Sequence, residues 1–187
     1  MARSGARGVA RAAARRDATI RGPTMKKLII AAAFAAFLPV IAQAETLEFP
    51  SDDPVATVTI PDNWGPKETE TGIDAQSDDS AIYLSIDVAD EKTSDKIIDE
   101  AFAFLQKNGV TIEEKTQKES DAEINGMKMK TFDWDGTDKE GPVNIGVAVL
   151  SPSEDKLLLI TYWGTKGKQD AHDDELIAII SSLKPAG

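Results

Sequence analysis

The chain has 187 residues, no cysteine, one histidine and a formal net charge of −11. Eight of its 21 basic residues and one of its 32 acids fall in residues 1–44, so residues 45–187 carry 13 lysines, no arginine and 31 acids, a net −18. Such a segment opposes approach to nucleic acid or an anionic membrane, and without cysteine there is no disulfide framework, thiolate metal site, cysteine nucleophile or lipid anchor.

The first 44 residues read as addressing. Met25-Lys26-Lys27 opens a basic region, and Leu28 to Ile41 follow without charge. This run is short of the about 20 residues of a membrane span. Ala42-Gln43-Ala44 fits the small-x-small pattern of secretory cleavage, which makes Ala44 and Glu45 the expected cleavage pair. Residues 1–24 are arginine-rich, but the signal peptide at 25–44 is complete without them. They read as an extension upstream of the true start. Arg15-Arg16 lacks the apolar continuation of a twin-arginine signal. The expected product is residues 45–187, one domain, in the periplasm or secreted, with no membrane span after processing.

Along the mature chain, Val55–Ile60 alternates and ends at Pro61-Asp62-Asn63. Ile82, Leu84, Ile86 and Val88 alternate with Tyr83, Ser85 and Asp87, the pattern of a half-buried strand. A helix is predicted from Ser94, its cap, to Gly109, with a stripe of Ile97, Ile98, Ala101, Phe102, Phe104 and Leu105. Asn125-Gly126 between Ala122–Ile124 and Met127–Trp134 is a strong hairpin signal. Val143–Leu150 and Leu157–Trp163 are two more strands. Leu157-Leu158-Leu159-Ile160 is apolar on both faces, so this strand is central and covered on both sides. A second helix follows Asp170 as cap, with a stripe of Leu176, Ile177, Ile179, Ile180 and Leu183, and stops at Pro185. The expected class is α+β, an antiparallel sheet of about six strands flanked by helices.

The order of these elements, the Pro61-Asp62-Asn63-Trp64 corner and the Asn125-Gly126 hairpin resemble the superfamily that includes PsbP of photosystem II, the yeast Mog protein and bacterial DcrB. The resemblance spans residues 46–184. It implies an α/β/α sandwich and a binding or accessory role with diverse partners, and it brings no catalytic residues. The chain departs from DcrB-like lipoproteins in lacking the lipid-acceptor cysteine, and nothing in it points to a photosynthetic partner.

Few residues carry a chemical signature. There is no phosphate-cradling glycine motif and no Gly-x-Ser-x-Gly elbow. Gly164-Thr165-Lys166-Gly167-Lys168 is followed by Asp170, Asp173 and Asp174, which repel phosphate. His172 falls in the second helix's stripe, where burial is expected to keep it neutral and structural. Asp133, Asp135 and Thr137 begin a calcium-loop pattern that Asp138 and Asn144 break at positions where glycine and glutamate belong. With Asp138 and Glu140 they are weak metal candidates, and a solvated hairpin bending at Asp135-Gly136 is the plainer reading. Trp64, Trp134 and Trp163 read as core and strand-face packing. The expectation is an exported, non-catalytic binding or accessory protein, monomeric and without a cofactor. Its acidic surface would meet a protein or other cationic partner in the cell envelope. The alternative is a small periplasmic hydrolase or a weak calcium binder using Asp133, Asp135 and Glu140.

Overall fold

The computed structural model describes residues 44–187; the upstream extension read in residues 1–24 and all but the last residue of the signal peptide read at 25–44 lie outside them. The strands are β1 (Ala44–Phe49), β2 (Ala56–Pro61), β3 (Lys67–Glu68), β4 (Gly72–Gln76), β5 (Ile82–Ala89), β6 (Thr111–Ile112), β7 (Lys118–Ile124), β8 (Met127–Asp138), β9 (Gly141–Leu150), β10 (Leu157–Thr165) and β11 (Lys184–Pro185). The helices are α1 (Ser94–Lys107) and α2 (Asp173–Ser182).

Eight strands form one antiparallel sheet in the order β3-β4-β5-β10-β9-β8-β6, with β7 also paired to β8. β1, β2 and β11 form a separate sheet with β2 in its centre. As its sequence requires, β10 lies between β5 and β9 with both faces covered. Leu158 and Ile160 join Ile82, Leu84 and Ile86 against Ala56, Val58 and Ile60 of β2 and Leu176 and Ile179 of α2. Leu159 faces the other way and packs with Ala89, Val147 and Ile97 of α1. Each fully buried Leu or Ile stabilises the fold by about 1.5–3 kcal/mol.

The sheet is larger than the six strands expected, and one counted strand, β2, belongs to the small sheet. The extra strands lack a readable pattern. β3 and β6 have two residues each and β4 five, while the expected Ala122–Ile124 arm extends back to Lys118 as β7, whose Lys118–Glu123 is exposed on both faces and held only by its ladder to β8. The β8–β9 hairpin bends at Lys139-Glu140 instead of Asp135-Gly136, with Asp138 paired to Gly141. Asp138 Oδ1 accepts the backbone N–H of Glu140 (2.8 Å) and Gly141 (3.1 Å) and so fixes the bend. Gly136 is interior to β8 because β6 crowds it: a Cβ there would lie 2.5 Å from Thr111 O and 2.5 Å from Ile145 Cδ1.

Helix ends also shift. Thr93 caps α1, on a turn in which Asp90 Oδ1 accepts the N–H groups of Lys92 and Thr93. Gly109 closes it with φ +83°, as expected. Asp170 sits in a 3-10 turn, and α2 starts at Asp173 with three acids in its first turn, favourable at the positive end of the helix dipole. The predicted stripes overreach: Phe104 is 38 % exposed and Ile177 62 %. The Asn125-Gly126 hairpin forms as read, both residues at positive φ. Its Asn125 Nδ2 also donates to the carbonyls of Ser181 (2.9 Å) and Leu183 (2.7 Å), satisfying acceptors at the end of α2.

One close approach locks the middle of the sheet. Asp133, Gly146 and Tyr162 stand in one row across β8, β9 and β10. With no side chain at Gly146, the Tyr162 ring lies across that strand, and its hydroxyl donates to Asp133 Oδ1 at 3.1 Å. A Cβ at position 146 would sit 2.0 Å from Tyr162 Cε1. Gly146→Ala is therefore expected to destabilise by about 1–3 kcal/mol through overpacking, measured by urea unfolding. A change within about 0.5 kcal/mol of wild type would show that the ring is not held there.

Candidate functional site

The polar face of β4 and β5 runs under α1, although alternation along β5 reads as a half-buried strand with Tyr83, Ser85 and Asp87 toward water. Asp74 of β4 pairs with Ser85 of β5, and Ser85 with Thr161 of β10, so the three stand in one row. Asp87 and Tyr83 flank that row on β5. These strands form the floor of a 220 Å³ cleft, Ile97, Glu100, Ala101 and Phe104 of α1 form its roof, and Thr69 and Thr71 form one end.

The cleft concentrates acid. Burial raises the Asp74 carboxyl above its ordinary range, against the Tyr83 hydroxyl and the Lys67 charge that lower it. Burial likewise raises Asp87, against hydrogen bonds from Thr71 and Ser85, and the charges of Asp74 and Glu100 add to the rise. Thr71 Oγ1 donates to Asp87 Oδ1 at 2.6 Å. Burial and Asp74 push the Tyr83 hydroxyl far above its usual range, so it keeps its proton at any physiological pH. Thr161 is 1 % exposed, and its Oγ1 has no hydrogen-bond partner. The Tyr83 ring lies 5.2 Å from Phe104 and 4.4 Å from Trp163, centroid to centroid, giving the cleft an aromatic wall.

His172 belongs to a second cluster, on the α2 side. Its side chain is 12 % exposed and stands edge-on to Trp64. Nδ1 lies 2.9 Å from Glu175 Oε2 and Nε2 lies 3.0 Å from Asp79 Oδ1. Trp64 Nε1 donates to the same Glu175 oxygen at 2.9 Å. Burial does not dominate this histidine as expected: the Glu175 hydrogen bond, with Asp79 in support, outweighs it and raises the imidazole's proton affinity. Asp79 is held down at about 2, first by the Ala81 N–H, then by the Ser77 hydroxyl. Asp78, Asp79 and His172 can each turn one ligand atom to a common point, these atoms lying within 4.8 Å of one another. Among the described residues they are the group placed to hold a metal ion.

The acids singled out in the sequence are divided. Asp133 and Asp135 line a 150 Å³ hollow on the α2 side of β8. Asp133 accepts from Tyr162, and Lys166 Nζ pairs with Asp135 at 2.7 Å and lowers its carboxyl. Thr137 is in the ladder opposite Pro142 and Thr111. Asp138 is spent on its turn, and Glu140 lies 3.4 Å from Lys168. The five do not meet in one place. Ala44 and Glu45, the expected cleavage pair, are exposed at the start of β1.

The cleft acids escaped sequence reading because Tyr83, Ser85 and Asp87 look like an ordinary solvent face. The signal that could have revealed them is the apolar stripe of α1, which must lie on some face of the sheet when β10 fills the other.

With 11 % identity and a TM-score of 0.53, the chain is similar to cyanobacterial PsbP (CyanoP) from Synechocystis sp. PCC 6803, over 78 % of this chain and 94 % of that one. Weaker likenesses are to LpqN of Mycobacterium tuberculosis, involved in cell envelope biogenesis (14 % identity, TM-score 0.46, 78 % and 91 % covered), and to PA94 of Pseudomonas aeruginosa (12 %, 0.40, 78 % and 99 %). No protein-family model matches the chain, and no curated protein matches it. The fold is PsbP/Mog-like, as the order of elements implied.

Two titrations should separate the clusters. The raised Asp87 carboxyl lends stability fully below its ordinary value of about 4 and loses it as pH rises through the folded value. Asp87→Asn should then raise Tm at pH 7 by roughly 2–4 °C and leave it unchanged at low pH; a lower Tm at pH 7 would contradict the burial argument. The raised His172 gives the opposite test: its stabilisation is complete below its ordinary value of 6.5 and is lost as pH climbs through the folded value. His172→Gln should cost more stability at acid pH than at alkaline pH in parallel urea titrations; an equal loss at both would remove the charged pairings.

Proposed function

We propose that the chain is an exported, non-catalytic binding or accessory protein of the cell envelope, acting as a monomer through the α1 cleft and an acidic surface. The observation that carries this is the state of Asp74 and Asp87. They are half-buried and close to each other, and among the described residues no lysine lies within 4 Å of either. A charge deficit of this kind is met from outside the chain. Catalysis is poorly served by the same geometry. Tyr83 holds its proton too tightly to act as an acid near neutrality, and His172 is engaged with Asp79 and Glu175 in the separate α2 cluster. The PsbP-like fold is in keeping with an accessory role.

Export follows from the leader at residues 25–44. Cleavage after Ala44 removes one residue of β1 and leaves the ladder from Glu45↔Ile60 onward. Among the described residues no helix is long and apolar enough to cross a membrane. Intact-mass measurement of the protein recovered from the envelope should show an N-terminus at Glu45; an N-terminus before Met25 would overturn the leader reading. Immobilised protein should retain its envelope partner at low salt and release it near 1 M, where screening shortens to about 3 Å. Retention should fall for Asp74→Asn/Asp87→Asn. Equal retention by that variant, or none by the wild type, would reject the reading.

A further inference from the structure

The α1 cleft has features that point to the chemistry of its occupant. Its acceptors come from separate elements: Asp74 from β4, Asp87 and Ser85 from β5, Thr161 from β10 and Glu100 from α1. Asp74 and Asp87 are diagonal neighbours on paired strands, about 7–8 Å apart at their backbones. Such spacing lets one ligand lie between both carboxylates. Thr161 supplies a second, independent sign of an occupant: a buried hydroxyl with no partner costs free energy unless something bonds to it.

The rest of the lining narrows the class. Ile97, Ala101 and Phe104 offer apolar contact, and Tyr83, packed against Phe104, lines the same cleft. The volume of 220 Å³ is below the roughly 300–1,000 Å³ of sites for drug-sized ligands. A bare metal ion fits poorly. It needs several oxygens converging on one point, and among the described residues the group that converges within 4.8 Å is Asp78, Asp79 and His172, outside the cleft. An ammonium group with three rotatable donors suits scattered acceptors better than a planar guanidinium, which demands a matched fork. Of the three acids, Glu100 already has Lys96 at 3.4 Å, and the two negative charges left over call for more than one positive charge from the occupant.

We infer that the α1 cleft binds a short aliphatic diamine in its diammonium form. One ammonium lies between Asp74 and Asp87 within reach of Thr161 Oγ1, the alkyl chain rests on Ala101 and Phe104, and the second ammonium faces Glu100 at the mouth. This assignment rests on the binding reading above.

Calorimetric titration of the purified protein with 1,4-diaminobutane tests it. Saturable one-site binding is expected, with none for 1-butanol. Asp87→Asn should weaken it about tenfold or more, as for loss of one charge-assisted hydrogen bond. Ala101→Leu, which fills the cleft from α1, should weaken it without changing the circular dichroism spectrum, and Asp135→Asn on the other face should not. Absence of diamine binding to the wild type, equal affinity in the cleft variants, or tighter binding of calcium at the same residues would each overturn the inference. Mass spectrometry of the recovered ligand separates the two readings. Unchanged diamine is expected, whereas conversion to a product would refute the non-catalytic role and leave the ligand class standing. Partner retention that needs Asp74 and Asp87 in a protein that binds no diamine would refute the ligand class alone.

Discussion

β10 is apolar on both faces, and that constraint organises everything packed around it. Leu158 and Ile160 require cover on one side, Leu157 and Leu159 on the other. Two helices cannot cover eight strands, so the small sheet joins α2 on one face while α1 works alone on the other. A single helix of 14 residues leaves part of its face lined with polar groups that are shielded but not sealed. The acidic cleft is thus a by-product of layer arithmetic. It lies where one helix stops covering a strand whose outer face remained polar.

The two faces handle charge differently. On the α2 side, carboxylates have protein partners: Asp133 has Tyr162, Asp135 has Lys166, and Glu175 has both His172 and Trp64. On the α1 side, Asp74 and Asp87 have hydroxyl neighbours, and Lys67, opposite Asp74 in the β3–β4 ladder, makes no ion pair with either. Burial therefore dominates Asp74 and Asp87 and raises their carboxyls, whereas Lys166 lowers Asp135 and the His172 and Trp64 hydrogen bonds lower Glu175.

Local patterns were legible where one residue or a short period settles the matter. Leu157–Ile160 announced a central strand, Asn125-Gly126 a tight turn and Gly109 a helix end. The unread parts depend on distant contacts. The part of β7 before the expected Ala122–Ile124 arm has no alternation because both its faces are wet, so only its pairing with β8 defines it. Gly136 looked like a bend residue, yet it is small because Thr111 passes beside it. Asp87 looked solvated, and Asp74 carried no pattern at all, because nothing in their own strands reports α1 above them. His172 was rightly placed on the helix's inner side. Its proton affinity rises through Glu175 on its own helix, supported by Asp79 from a turn 93 residues earlier, which the local pattern could not report.

The small sheet places both ends of the folded region side by side. β2 is held between β1, just before it in the chain, and β11, whose Lys184 and Pro185 pair with Thr57 and Ala56. The Ser182 hydroxyl accepts the Thr59 N–H nearby, and the Ala186 N–H donates to the Val55 carbonyl. The last ladder to close thus waits for residues more than 120 positions downstream, a long loop whose closure entropy slows folding. While residues 184–186 are still being synthesised, β2 lacks one edge and the α2 face of the core lacks its seal. The eight-stranded sheet, by contrast, needs nothing beyond Thr165, so the two sheets differ in how much of the chain each must await.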